Sequence, residues 1–431
     1  MKIKVNFQDV IGKIKPMHGV GQAPILGTMD YSLFGYLQKA GIPYSRLHDV
    51  CGAYGGHVYV DIPNLFRDFN ADAENPENYD FAFTDELMKA IIRTGAEPFF
   101  RLGVSIENCA KIRAYNIYPP SDNLKWAKIC AGIIKHYNEG WGNGFNYNIK
   151  YWEIWNEPDN EPEIMNNPMW RGTKEQYFEL YRVSSKYLKE HFPKIKIGGY
   201  SSCGFYSIDS GSPIAAANSS DRIEYFLEYF IDFLEFVKEN DCPLDFFSWH
   251  SYDGIERNIN YAEYARNKLD EYGFKNAENI CNEWNIDVRN RDSITHAVNN
   301  GAMLLAFQNT SLDLSTFYDA GAKGTYGMFN PYSHQPFPVY YSFMAFNELY
   351  RRGCQVRLEL KQKGVYAVAA KDENDGCILI ANTTKEDLPI GLETNGAIYE
   401  CLSIDSKHLF EKNDFNNLIL SNSIICLKVR L

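Results

Sequence analysis

Two stretches place carboxylates where chemistry could use them: YWEIWNEPDN at 151–160 and ENICNEWN at 278–285. In the first, Glu157 sits between Asn156 and Pro158 at the end of an aromatic-rich, otherwise apolar run. Pro158 cannot continue a strand ladder and biases Glu157 toward extended backbone, so the strand is expected to stop at the acid. Period-two alternation then puts Tyr151, Glu153, Trp155 and Glu157 on one face. Glu283 ends the second run. Two facing carboxyl groups can cleave a glycosidic bond. One protonates the leaving oxygen, and the other attacks the anomeric carbon or activates a water to do so. An acid ending a buried strand can equally be half of a structural ion pair. That is the expectation for Glu153, which lies deeper and is read as the partner of Arg46, and for Arg101 in FFRLG. Further polar groups at strand ends are Arg46, His48, Asn156, His250, Tyr252, Tyr318 and Asp319. His48 and His250 could belong to a metal centre, but such a centre needs several His or Asp ligands. The expectation is no metal.

These side chains need a frame. Apolar strand patterns fall at 17–21, 44–49, 97–103, 149–157, 195–201, 244–252, 278–285 and 314–320, and helical periodicity fills the intervals. Thr173 and Asp221 read as helix caps, and Gly41 and Gly273 fit helix C-termini. Eight strands alternating with helices predict a (β/α)8 TIM barrel, an α/β fold that carries functional side chains at the C-terminal ends of its strands. On that map Glu157 ends the fourth strand and Glu283 the seventh, facing each other across the mouth. Beyond residue 352 the texture changes to short strands separated by turn clusters such as DENDG, with no helical pattern of useful length. The expected organisation is a strand at 1–14, a barrel at 15–351 and a small all-β sandwich at 352–431, to which the alternation in KIKVNF adds the N-terminal strand.

Composition narrows the function classes. The net charge is −12, and there is no basic block or basic amphipathic stripe, so nucleic acid and anionic membrane are not expected partners. No run approaches the ~20 apolar residues of a membrane span. No secretory signal pattern opens the chain, and ten cysteines are scattered without a CxxC. Reduced thiols in a cytoplasm are the expectation, with secretion as the alternative for a trimmed chain. The 30 Tyr, 27 Phe and 7 Trp exceed what a core alone asks for and suit a cleft that stacks on sugar faces. Tyr318, Tyr326 and Phe329 are candidates for such a wall.

HGV at 18–20, NEP at 156–158, HSY at 250–252 and NEW at 282–284 together resemble the retaining barrel glycosidases with acids on strands 4 and 7. PVYYSFMAFNELYRRG resembles the barrel-to-β transition of glycoside hydrolase family 39, which includes β-xylosidases and α-L-iduronidases. The resemblance implies that Glu157 is the general acid/base and Glu283 the nucleophile. It implies that Asn156 binds the substrate 2-hydroxyl, that Arg46 and Tyr252 orient the nucleophile, and that His48 and His250 contact sugar hydroxyls or orient the acid. As a proton donor, Glu157 is expected to have a raised pKa. No cofactor is implied, and the partner is an oligosaccharide; the chain leaves a homo-oligomer open.

Arg101 and FYDA depart from the xylosidase pattern, which carries an acid on strand 3 and a tryptophan on strand 8. The leading expectation is a β-D-xylosidase-like exo-glycosidase. An α-L-arabinofuranosidase or other family 39 specificity is the near alternative, and a non-catalytic carbohydrate-binding protein the alternative from another class.

Overall fold

The computed structural model of the chain describes residues 1–26, 30–48, 60–106, 117–322 and 325–431. Strand β1 (Lys2–Lys13) precedes eight short strands that close on themselves. These are β2 (Gly19–Gly21), β3 (Tyr44–Leu47), β4 (Glu97–Leu102), β5 (Tyr151–Ile154), β6 (Lys196–Ser202), β7 (Phe246–Ser251), β8 (Glu278–Trp284) and β9 (Leu314–Phe317). Neighbours pair in parallel, and β9 returns to β2 through Val20↔Phe317. The eight expected strands and the closed barrel are present. The long segment 52–81 after the second barrel strand, which the sequence suggests would build over the barrel mouth, has its first residues, 52–59, outside the described residues.

Two layers fill the barrel. At its base Phe99, Tyr151, Phe246, Ile280 and Leu314 form a closed apolar plug, with Tyr44 against it. Above the plug the lumen turns polar, with Arg46, Glu153, Ser201, Ser248 and Asn282 all fully buried. The outward faces of the strands carry the main core against the helices. Helix Lys174–His191 starts in a full capping box, with Thr173 and Gln176 bonding each other's backbone. Helix Ser220–Glu239 is capped by Ser219 rather than Asp221, which lies in its first turn. Among the described residues no helix is long and apolar enough to cross a membrane.

The remaining strands are β10 (Cys354–Leu360), β11 (Val365–Lys371), β12 (Asp375–Asn382), β13 (Leu388–Pro389), β14 (Gly391–Thr394), β15 (Ala397–Ile404), β16 (Leu409–Lys412), β17 (Leu418–Ile419) and β18 (Ser423–Arg430). With β1 they form an eight-stranded sheet in the order β14-β1-β10-β11-β12-β18-β15-β16, plus a two-stranded ribbon of β13 and β17. β1 runs antiparallel to β10 and parallel to β14, with Ile3, Val5 and Phe7 turned inward. One face of the sheet sends Val368, Leu379, Ile404 and Ile424 into the barrel's own helical core. The other buries Ile378, Ile380, Leu427 and Val429 with Ile390 and Ile419.

Candidate active site

Three irregularities, after β5 and within β6 and β8, aim the mouth residues. Between β7 and β8 the register passes from Trp249↔Cys281 to His250↔Glu283, so β8 carries one extra residue. A bulge of this kind re-aims side chains, and here Asn282 and Glu283 both enter the lumen. Between β6 and β7 the extra residue is Ser201, whose φ is +58°. After β5, Trp155 takes φ +74° and Glu157 φ +46°. The expected alternation therefore fails at this end. Trp155 turns outward and packs on Trp126 and Trp170, with ring centroids 6.1 and 5.0 Å away. Glu157 is not extended despite Pro158, because its N–H is drawn to the carbonyls of Tyr200 and Ser201 at 3.2 and 3.1 Å. The acid still reaches the mouth, by a kink rather than by period two.

Arg46 organises the floor. It is fully buried and donates to Glu153 Oε2 at 2.9 and 2.7 Å, to Glu283 Oε1 at 2.7 Å, to Asn156 Oδ1 at 2.6 Å and to Ser201 Oγ at 2.8 Å. Burial disfavours its charge, but Glu153 and Glu283 outweigh that and hold its pKa above the usual value. The second oxygen of Glu153 accepts from Ser201 Oγ, Ser248 Oγ and Asn282 Nδ2 at 2.8, 2.6 and 2.6 Å. Glu153 is thus the ion-pair partner of Arg46, its lone pairs met from four strands. Arg101 likewise pairs with Asp61 at 2.7 Å, both fully buried.

Above this floor, Glu283 Oε2 accepts from Tyr252 Oη at 3.0 Å, and His48 Nε2 lies 3.3 Å from Oε1. Burial and the Glu283 charge push the Tyr252 phenol well up, so it stays a donor. Asn156 gives its carbonyl oxygen to Arg46, which leaves its amide N–H groups to donate elsewhere. His250 Nδ1 meets Glu157 Oε1 at 2.7 Å, while Nε2 lies 3.6 Å from Glu283 Oε1. One carboxylate oxygen each of Glu157 and Glu283 come within 4.8 Å of each other, with His250 between them. The same three groups could in principle hold a cation. However, the Arg46 guanidinium already occupies Glu283 Oε1, and His250 and Glu157 are bonded to each other, so the arrangement is better suited to holding a proton.

The electrostatics alter one expectation. Burial alone would raise the Glu157 carboxyl, but the His250 hydrogen bond and charge, with Asn160 and His48, bring it below the usual value. Burial would lower the His250 pKa, but the Glu283 charge and the Glu157 hydrogen bond raise it above the ordinary value. Before substrate arrives the pair thus favours its proton on the imidazole rather than on the acid.

Tyr318 lines the same mouth. Its hydroxyl accepts from Gln22 at 2.7 Å, and its ring lies 5.3 Å from Tyr326, which is 38% exposed and 5.5 Å from Tyr252. Phe329 does not join this wall. It is fully buried against Tyr36 and Tyr340, because an apolar ring with no polar edge gains more in the core.

Sequence reasoning also missed Asp159. This fully buried carboxyl accepts from Ser202 Oγ at 2.9 Å and from Cys203 N–H at 3.1 Å. Burial and the neighbouring Glu157 raise its pKa from 3.8 to about 7. Between those values the native state keeps a proton that the unfolded chain has lost. The associated stability is full in acid and is lost as pH rises through about 7. Asp159→Asn should therefore gain thermal midpoint over the wild type as pH is raised from about 4 to 7, with little difference below about 4. Parallel melting curves at all pH values would show that the carboxyl is already ionised.

Residues 27–284 match the family described as Glycosyl hydrolases family 39. A β-xylosidase of Geobacillus stearothermophilus is 26% identical over 242 residues, covering 54% of this chain but only 41% of that enzyme. One from Caldicellulosiruptor saccharolyticus is 22% identical across 91% of this chain and 81% of its own length. The crystal structure of a glucosidase from Croceicoccus marinus superposes with a TM-score of 0.78 at 20% identity, covering 100% of this chain and 99% of that one. The family match extends over more than half of the sequence, through both mouth carboxylates, and the chain belongs to glycosyl hydrolases family 39.

Proposed function

We propose that this protein is a retaining exo-glycosidase whose preferred substrates are β-D-xylosides. The observation that carries the reading is the approach of Glu157 and Glu283 to within 4.8 Å. Carboxyl pairs roughly 5–5.5 Å apart belong to double displacement, whereas inverting enzymes need ~6.5–9.5 Å to seat a water. The Glu283 carboxylate, hydrogen-bonded by Arg46, attacks the anomeric carbon while Glu157 gives its proton to the departing glycosidic oxygen. The new bond is an ester to Glu283, and the leaving group departs as an alcohol. Water then attacks the same carbon, Glu157 takes its proton, and the ester bond breaks.

The shared His250–Glu157 proton fits both steps. Esterification removes the Glu283 charge that supports the imidazolium, so the proton is released toward Glu157 as it is needed. The amide of Asn156 is assigned to the 2-hydroxyl, and Tyr318 and Tyr326 to the sugar's apolar face. The two β-xylosidase relatives support the choice of sugar.

The test is an aryl-glycoside panel comprising β-xyloside, both arabinoside ring forms, β-glucoside, α- and β-galactosides and a uronide, with the first-formed anomer read by proton NMR. The expected result is fastest release from β-xyloside, β-xylose as first product, and no loss on adding a chelator. An inverted first product would overturn double displacement, and a faster arabinoside would move the specificity.

A further inference from the structure

The two oxygens of Glu157 face different donors, and a side chain remote from the sugar decides what one of those donors is. Oε1 meets His250 Nδ1, while Oε2 accepts from Asn160 Nδ2 at 2.8 Å. An asparagine amide has donors at one end and an acceptor at the other, so it could turn either toward a carboxyl. Here the choice is fixed. Arg222 NH2 donates to Asn160 Oδ1 at 3.1 Å, and Arg222 Nε to the Asn160 carbonyl at 2.8 Å. A guanidinium has only donors, so a flipped amide would set N–H against N–H. Arg222 comes from helix Ser220–Glu239 and is anchored by Glu161 at 3.0 Å and by the Phe226 ring at 5.4 Å. The turn that returns Asn160 to the acid is closed by its own N–H on the Glu157 carbonyl at 3.1 Å.

We infer that Asn160, locked by Arg222, is a positioning residue that keeps Glu157 Oε2 a hydrogen-bond acceptor and so confines the transferable proton to Oε1, on the His250 side. The inference rests on the reading of Glu157 as acid/base. A donor aimed at Oε2 takes one of its lone pairs and disfavours a proton there, so the neutral acid prefers Oε1 and the carboxylate gains a charge-assisted bond. Both effects favour the ionised form that the second chemical step requires. Among the described residues the other charged or titratable groups facing Glu157 are His250 from β7, His48 just after β3, Glu283 from β8, Cys203 just after β6, Asp159 in its own turn, and Tyr206, Tyr252 and Tyr326. None of them bonds to Arg222, so the hydrogen-bonded path from Arg222 to Glu157 runs through Asn160, alongside the direct pull of the guanidinium charge.

The measurement is the titration of the Glu157 carboxyl by carbon-13 NMR on glutamate-labelled protein, assigned by difference against Glu157→Gln. Asn160→Ala should raise its midpoint by about 0.5–1 pH unit, the equivalent of one lost hydrogen bond. Arg222→Met should shift it in the same direction by less, and adding Arg222→Met to Asn160→Ala should shift it by less than the sum of the two single changes, which separates the path through Asn160 from the loss of the arginine charge. The alkaline limb of kcat/KM should move with the titration, while KM stays within twofold. An unmoved titration in Asn160→Ala, or an opposite shift in Arg222→Met, would overturn the inference. The titration needs no substrate. A shifted carboxyl in a protein that cleaves no glycoside would therefore count against the proposed function and not against this assignment.

Discussion

Glu283→Ala is expected to lower kcat on an aryl β-xyloside by about 10⁴-fold or more, the scale seen when a nucleophile is removed from a working constellation. The size follows from how completely the mouth is built around this carboxylate. Arg46 Nη1, Tyr252 Oη and His48 Nε2 converge on its two oxygens at 2.7, 3.0 and 3.3 Å. Among the described residues neither nearby acid can replace it, since Glu153 is saturated by its own partners and Asp159 is turned away onto Ser202 and Cys203. Truncation to alanine leaves room for a small anion beside the same donors. Added azide or formate should therefore restore turnover from the face Glu283 occupied, giving a product of inverted configuration with azide. Rates with and without the anion, and the product anomer by NMR, check both parts. A variant within tenfold of the wild type would remove Glu283 from the role.

Arg46→Met is expected to cost about 3–5 kcal/mol of stability, read as a fall in the urea midpoint, and to abolish turnover. The guanidinium has no exposed surface, and its side-chain partner Glu153 has none either. Removing the cation leaves Glu153 and Glu283 buried close together, with the His250 ring 3.6 Å from Glu283 but no arginine or lysine in Arg46's place among the described residues. The penalty is thus mostly that of uncompensated charge rather than of lost packing. Adding Glu153→Gln to Arg46→Met should therefore recover part of the midpoint, a coupling expected of residues in one network. Arg46→Lys should fall between, because an ammonium cannot span Glu153, Glu283, Asn156 and Ser201 at once. If the double variant were no more stable than Arg46→Met alone, the lost arginine would have to matter through volume instead.

What the sequence displays and what it hides differ for physical reasons. The barrel was legible because each strand is a short apolar run bounded by breakers, and because the helices between them carry amphipathic period and caps such as Thr173. Glu157 and Glu283 stood out as acids ending such runs. The geometry around them did not. Trp155 sits in the alternation that should point it inward, and only its left-handed backbone sends it out to Trp126 and Trp170. Ser201 and Asn282 are bulge residues, and a bulge is fixed by the pairing of two strands, which no single segment records. Ser248 and Asn160 are ordinary polar residues until the fold sets a carboxylate beside them. Phe329 looked like Tyr318 in composition, but it has no hydroxyl to keep at the mouth. The lowered Glu157 carboxyl was unreadable for the same reason, since it depends on a histidine that arrives from another strand.

The N-terminal strand has a consequence for how the chain acquires its shape. β1 lies between β14 and β10, with Ile3 against Leu360 and Lys2 against Gly391. It is therefore synthesised before the barrel, whereas both of its partners come after it. Pairings of such sequence separation are slow to close, because a long intervening loop must be ordered before they repay its entropy. While it waits, an alternating apolar strand is a template for the same strand of another copy. The positions that face water, Lys2, Lys4, Asn6 and Gln8, are charged or polar, and in the finished sheet they cover no core. Two like charges directly opposed in a stack of such strands repel. The outward face of β1 thus guards the nascent chain against aggregation during the interval before β10 and β14 exist.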